Sequence, residues 1–182
     1  MIVDQTTDVL TGERVRLWPY VPGVYGRDAL YRVWRLIEDH QAALRCFWDQ
    51  AILPTTGGDL ASFVKTFDGT PGRFLLMVES IRSNQLCGCL WFTEIQPGHQ
   101  AFISIFMAKA ARGKATEEAS ALAIRYAMES YQLRQLWAVT PWPDAAHLCE
   151  RMGFWREAIL PDFAWVRGER YPVMVFRLTR EV

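Results

Sequence analysis

The residues best suited to chemistry lie in one short basic turn, Arg112-Gly113-Lys114-Ala115-Thr116. An apolar run, Ala101 to Met107, leads into it, and an apolar-periodic segment, Ala119 to Met128, leads out. A strand that ends in such a turn and opens a helix collects backbone N–H groups that lack carbonyl partners. The helix dipole adds positive potential at the same place. The turn reads either as an anion site or as an ordinary strand-to-helix connection. The other reactive side chains are scattered. Cys46, Cys87, Cys89 and Cys149 form no C-x-x-C pair, and no His stands at metal-ligand spacing, so no metal is expected. The cysteines read as small buried hydrophobes, with Cys87 and Cys89 on one face of a strand. His99 falls in a turn, His147 on a helix surface and His40 at a helix end.

The elements that position this turn can be read along the chain. Thr11 to Tyr20 alternates Val15 and Leu17 against Arg14, Arg16 and Trp18, the pattern of a first strand. Arg27 to Glu38 places Leu30, Val33, Trp34 and Ile37 on one helix face. Gln41 to Gln50 continues as a short helix with Leu44, Phe47 and Trp48, and Pro54 to Gly58 is a loop. Asp59 caps a third helix with Leu60, Phe63, Val64 and Phe67 as its stripe. Three strands then follow with short turns, Phe74 to Glu79, Gln85 to Ile95 and Gln100 to Met107, an antiparallel meander. After the basic turn and its helix come a strand (Gln135 to Val139), a short helix from Asp144 stopped by Gly153, and two last strands (Phe154 to Leu160, Tyr171 to Thr179). The expected fold class is α/β (α+β): a mixed, mostly antiparallel sheet of about seven strands flanked by helices, in one domain over residues 1–182.

Composition narrows the function classes. The 182 residues are 51% hydrophobic, enough for a sizeable core, and their 20 basic and 20 acidic side chains balance to zero formal charge. No basic bias or Lys/Arg block favours nucleic acid or a membrane surface. No apolar stretch approaches the ~18 residues of a membrane span. Met1 to Gln5 lacks the charged and apolar regions of a signal peptide, so a reduced, cytoplasmic setting is the expectation.

With this order in hand, several stretches resemble the GNAT superfamily of acyl-CoA-dependent N-acetyltransferases. Arg112 to Glu117 stands where that family has its pyrophosphate loop, Gln/Arg-x-x-Gly-x-Gly/Ala. Ala145 to Phe154 resembles the family's helix ending A-x-x-L-Y-x-x-x-G-F. Gly153-Phe154-Trp155-Arg156-Glu157-Ala158 and Leu10 to Leu17 are similar to G-F-x-x-E-G and L-x-T-E-R-L-x-L-R of the branch that acetylates N-terminal amines of ribosomal proteins (RimJ/RimL-like). The resemblance spans about residues 10 to 179, and four motifs in the right order are more specific than any one.

The resemblance implies transfer of an acetyl group from acetyl-CoA, as co-substrate, to a primary amine of a peptide, protein or small molecule by direct attack. Arg112, Gly113, Lys114, Ala115 and Thr116 would hold the pyrophosphate. The strand end at Phe106 and Met107 would face the pantetheine, with the acyl group in the gap beside the next strand. Cys149 occupies the place of the family's Tyr general acid. Trp142 stands where many members have Asn, and Phe102 where the branch often has Glu, which leaves Glu94 on the preceding strand as the nearest carboxylate. Glu94 reads as either a cleft base or a solvent residue, and Cys149 as either an acid or a buried helix residue. Ala115 replaces a glycine of the loop and Glu117 stands where Gly or Ala is usual, and a second register would make Glu118 the branch's helix Glu. The acceptor would sit among Trp34, Phe47, Trp48, Trp165, Arg167 and Tyr171, a homodimer is admissible, and no nucleic-acid or membrane partner is expected. The substituted positions also admit a GNAT-fold binding or assembly module with weak or no catalysis.

Overall fold

A computed structural model describes residues 8–24, 26–39, 60–68, 70–166 and 169–180. Within them lie eight strands: β1 (Leu10–Thr11), β2 (Val15–Pro19), β3 (Phe74–Ser80), β4 (Gln85–Gln96), β5 (Gln100–Met107), β6 (Gln135–Thr140), β7 (Trp155–Val166) and β8 (Glu169–Thr179). Four α-helices accompany them among the described residues: α1 (Asp28–Asp39), α2 (Leu60–Phe67), α3 (Lys114–Ser130) and α4 (Pro143–Arg151). The strands form one sheet in the order β1-β2-β3-β4-β5-β6-β8-β7, antiparallel everywhere except between β5 and β6.

Each helix buries the stripe its spacing dictates. On α1 the buried residues are Leu30, Val33, Trp34 and Ile37, packed with Phe63 and Phe67 of α2 against Leu75, Cys89, Trp91 and Phe106. The opposite face of the sheet carries Val15, Leu17, Leu76, Leu90 and Phe92 beneath Ala119, Ala123 and Ala127 of α3, with Ala146 of α4 in the same cluster. With helices on both faces, β4 is buried without interruption from Cys87 to Thr93. Each fully buried Leu or Phe contributes roughly 2 kcal/mol of hydrophobic stabilisation, so these two layers fix the sheet.

Several expectations are corrected. The sheet has eight strands, because the first one divides: Gly12 N–H donates to Val15 O at 2.9 Å and separates the two-residue β1 from β2. Helix α3 begins at Lys114, one turn before its apolar stripe. Strand β7 runs on to Val166 across an irregular stretch between Leu160 and Ala164 that absorbs Pro161, a residue an edge strand tolerates because its missing N–H costs no ladder bond there. Cys87 and Cys89 do not share a face. The β3–β4 register shifts between Val78 and Glu79, so Cys87 packs on the α3 side and Cys89 on the α1 side. Trp34, expected in an acceptor wall, is core, 3% exposed with its ring 5.5 Å from Phe63. The expected 41–50 helix, the Asp59 cap, His40, Cys46, Phe47, Trp48 and Arg167 lie outside the described residues.

No helix of the described residues is long and apolar enough to cross a membrane.

Candidate active site

The one parallel contact in the sheet opens a gap. Strands β5 and β6 pair at Gln100–Gln135, Ala101–Leu136 and Phe102–Trp137, and the pairing stops there while β5 continues to Met107 and β6 to Thr140. The fork is pinned at its base: the rings of Phe102 and Trp137 stack at 6.5 Å, and Trp137 Nε1 donates to Gln100 Oε1 at 3.2 Å. Beyond it, Ile103, Ser104 and Ile105 form one wall of a cleft, and Ala138, Val139 and Thr140 the other. Leu90 and Trp91 of the neighbouring strand β4 also line it. A second stretch, lined by Met107, Arg112, Gly113, Thr116, Asp144 and Arg151, continues it. Ile105, Trp142, Ala145 and Leu148 are common to both, which makes a single groove from the fork to the start of α3.

At that end the backbone is arranged for an anion. Gly113 is the N-cap of α3 with φ 92° and ψ −130°, and no side chain caps the helix. This conformation belongs to glycine: an L side chain is strained there, although an added Cβ would meet nothing within 4 Å. The first intrahelical bond is Glu117 N–H to Gly113 O, 3.1 Å, so the N–H groups of Gly113, Lys114, Ala115 and Thr116 precede the helical ladder. Thr116 Oγ1 donates to Ala111 O at 3.3 Å and Arg112 Nε to Met107 O at 3.4 Å, which ties the turn to the end of β5.

The two carboxylates that follow are both engaged. Glu117 Oε1 accepts from Arg151 Nε at 2.8 Å. Glu118 turns to the β1–β2 corner, where its Oε1 accepts the Arg14 N–H at 3.0 Å. Burial tends to raise the Glu118 pKa, but hydrogen bonds from the backbone of Arg14, Glu13 and Val15 and from the Arg14 side chain outweigh it and hold the carboxyl below its ordinary value.

Of the residues expected to hold the co-substrate, Phe106, Met107, Arg112, Gly113 and Thr116 converge on the groove. Lys114 is exposed and outside the lining, and the Ala115 side chain packs toward the core. Cys149 lines the groove beside the fork. Burial, with the Glu150 charge adding, pushes its thiol up to about 12. Glu94 is not brought to the same place. It has φ 50°, sits where the β4–β5 register shifts, and is exposed outside the lining. His99 is exposed, and His147 faces Glu150 at 3.5 Å on an exposed helix turn. The Tyr171 ring lies 5.8 Å from that of Trp142, tilted by 53°, while Trp165, 58% exposed, carries Arg170 over its ring. Among the described residues, no three His, Cys, Asp or Glu side chains are close enough to hold a metal.

The structure adds residues that spacing alone did not single out. Thr140 Oγ1 accepts the Trp142 N–H at 3.1 Å and shapes the corner between β6 and α4. Asp144 and Arg151 reach the groove from α4 with Ala145 and Leu148. Their separations of three, four and seven residues are the signal of one helix face.

The fold as a whole superposes on solved structures. A GCN5-related N-acetyltransferase from Brucella melitensis superposes with a TM-score of 0.71 at 18% identity, over 96% of this chain and 79% of that one. The chain has the GNAT fold. RimL, a ribosomal L7/L12 α-N-protein acetyltransferase solved with coenzyme A in disulfide linkage to a cysteine, gives 0.73 at 13% identity over 94% and 98% of the two chains. Spermidine N-acetyltransferase from Vibrio cholerae, solved with CoA and spermine, gives 0.70 at 19% identity over 90% and 95%. No family model matches the sequence, and no curated protein matches it either.

Proposed function

We propose that this chain is a single-domain N-acetyltransferase that moves an acetyl group from acetyl-CoA to a primary amine. The observation that carries the reading is the parting of β5 and β6 after Phe102, directly upstream of an uncapped, glycine-led helix start. A narrow gap with mostly apolar walls suits an extended thioester-bearing arm, and the N–H groups of Gly113 to Thr116 suit its diphosphate. Acetyl-CoA, when bound, supplies an activated acyl carbon and a thiolate leaving group. The named activities of the similar structures, on a ribosomal protein and on spermidine, favour an amine acceptor and span both the protein and the small-molecule class.

The side chains then have separable roles. Gly113 to Thr116 orient the diphosphate end, with Arg112 adding charge from 49% exposure. Phe106 and Met107 close the groove wall between that end and the fork. Cys149 Sγ keeps its proton at neutral pH because burial opposes ionisation. A donor with a pKa near 12 shares its proton with a departing thiolate rather than surrendering it, so Cys149 acts as a hydrogen-bond donor at the sulfur. Glu94 takes no part in this reading. The acceptor amine attacks in its neutral form, because an ammonium has no lone pair to offer, and the proton released as the amide forms passes to solvent while coenzyme A leaves as the thiolate. Orientation and backbone stabilisation of the oxyanion supply most of the rate.

The test is release of free thiol from acetyl-CoA across a panel of peptides and small amines, followed against pH. The expected result is turnover whose kcat/KM rises with pH through the acceptor's own pKa, about 8 for an α-amine and about 10 for an alkylamine. A rise fixed near pH 4–5 for every acceptor would reveal a carboxylate base and refute this mechanism. No turnover with any amine would refute the function.

A further inference from the structure

Two ion pairs cross the groove in opposite senses. Arg112, just before α3, lies 3.9 Å through its Nη1 from Asp144 Oδ2 in the first turn of α4. Arg151, in the last turn of α4, donates from Nε to Glu117 Oε1 in the first turn of α3, 2.8 Å away. Each wall therefore supplies one guanidinium and one carboxylate. Both arginines are about half exposed and line the same stretch of groove as Gly113 and Thr116. Such exposed pairs stabilise a fold little, because solvent screens them and holding two long side chains costs entropy. Their position over a ready anion site therefore calls for another explanation. A guanidinium fork accepts a carboxylate or a phosphate in the same bidentate geometry, so Glu117 and a phosphate group compete for one donor.

We propose that Arg151 is a second phosphate-binding side chain of this groove, facing Arg112 from the opposite wall, with Glu117 as its competing internal partner. This rests on the acyl-CoA reading above. A phosphate that enters the groove takes Arg151 from Glu117, and the exchange sets how strongly the phosphorylated end of the ligand adds to binding. The shared chemistry is a phosphate oxygen pair, which coenzyme A offers at its diphosphate and again at its 3′-phosphate.

Isothermal titration of CoA, dephospho-CoA and S-acetyl-pantetheine into the full chain and its Arg151→Gln, Glu117→Gln and double variants tests this. Arg151→Gln is expected to weaken CoA about five- to tenfold, and Glu117→Gln to tighten it about two- to fivefold, the scale of a half-exposed charge contact. S-acetyl-pantetheine, which lacks both phosphate groups, is expected to bind all variants alike. In the Arg151→Gln background the gain from Glu117→Gln is expected to vanish. A loss shared by CoA and dephospho-CoA assigns Arg151 to the diphosphate, and a loss confined to CoA assigns it to the 3′-phosphate. A purely structural tie breaks equally from either end, so equal shifts of CoA affinity in the same direction would overturn the proposal. So would a Glu117→Gln gain that survives without Arg151. Failure of the unaltered chain to bind CoA at millimolar ligand would instead overturn the acyl-CoA reading, and this proposal with it.

Discussion

Replacing Gly113 with Ala probes the turn without touching any side-chain contact. The added Cβ would find nothing within 4 Å, so no clash arises. The backbone, at φ 92° and ψ −130°, is the whole obstacle. An L residue held in so sparsely populated a region costs about 2–3 kcal/mol. That cost must appear somewhere. If the turn keeps its shape, the folded state loses the full amount and coenzyme A binds as before. If the turn relaxes, stability is spared, but the N–H groups of residues 113 to 116 no longer converge and affinity falls by up to about 100-fold. The losses of folding and binding free energy should therefore sum to about 2–3 kcal/mol. Urea denaturation with and without the ligand, together with titration calorimetry, measures both. Gly98→Ala is the control: Gly98 also has positive φ, 75°, but lies in the β4–β5 turn outside the groove, so only stability should fall. Unchanged stability together with unchanged CoA affinity in Gly113→Ala would show that the turn neither needs glycine nor binds the ligand.

Other expectations follow from the same contacts. In Gly12→Ala a Cβ would stand 1.8 Å from Glu118 Oε1, which must withdraw from the β1–β2 corner; a loss of about 1–3 kcal/mol in urea denaturation is expected, and a neutral result would mean the corner is not held this way. Because the folded-state pKa of Glu118 is depressed, its contribution is present above the ordinary carboxylate pKa and lost as pH falls through the folded value; Glu118→Gln should flatten that part of the stability–pH curve, and an unchanged acid limb would contradict it. Cys149, with its thiol pushed up to about 12, should react with iodoacetamide at pH 8 far more slowly than a free cysteine and more slowly still with CoA present; modification at the free-thiol rate, read by mass spectrometry, would refute the assigned burial.

Much of this arrangement is legible in the residues because strong periodicity survives folding. The stripe on α1 and the β3–β4–β5 meander are each dictated by apolar spacing, and they agree with the structure to within about two residues. The site was less legible wherever local geometry breaks the period. Simple alternation through Trp91-Phe92-Thr93-Glu94 would send Glu94 to the same face as Phe92, but the left-handed residue and register shift at that point turn it out to solvent. The first turn of α3 is polar because Thr116, Glu117 and Glu118 tie it to Ala111, Arg151 and Arg14, three separate places, and contacts of that range have no periodic signature. Trp34 illustrates the converse: an aromatic on a helix stripe satisfies a core as readily as a pocket, and only its neighbours Phe63 and Trp91 decide. The two-residue β1 is too short for any pattern.

In the proposed function the forked β5–β6 gap and the Gly113 turn form one binding groove for acetyl-CoA. Titrating acetyl-CoA while following backbone amide NMR shifts tests it most directly. The expected result is saturable shifts at Gly113 to Thr116 together with Ile103 to Met107 on a single binding curve. Binding that shifts other amides and leaves those two segments unmoved, or no shift at millimolar ligand, would contradict it.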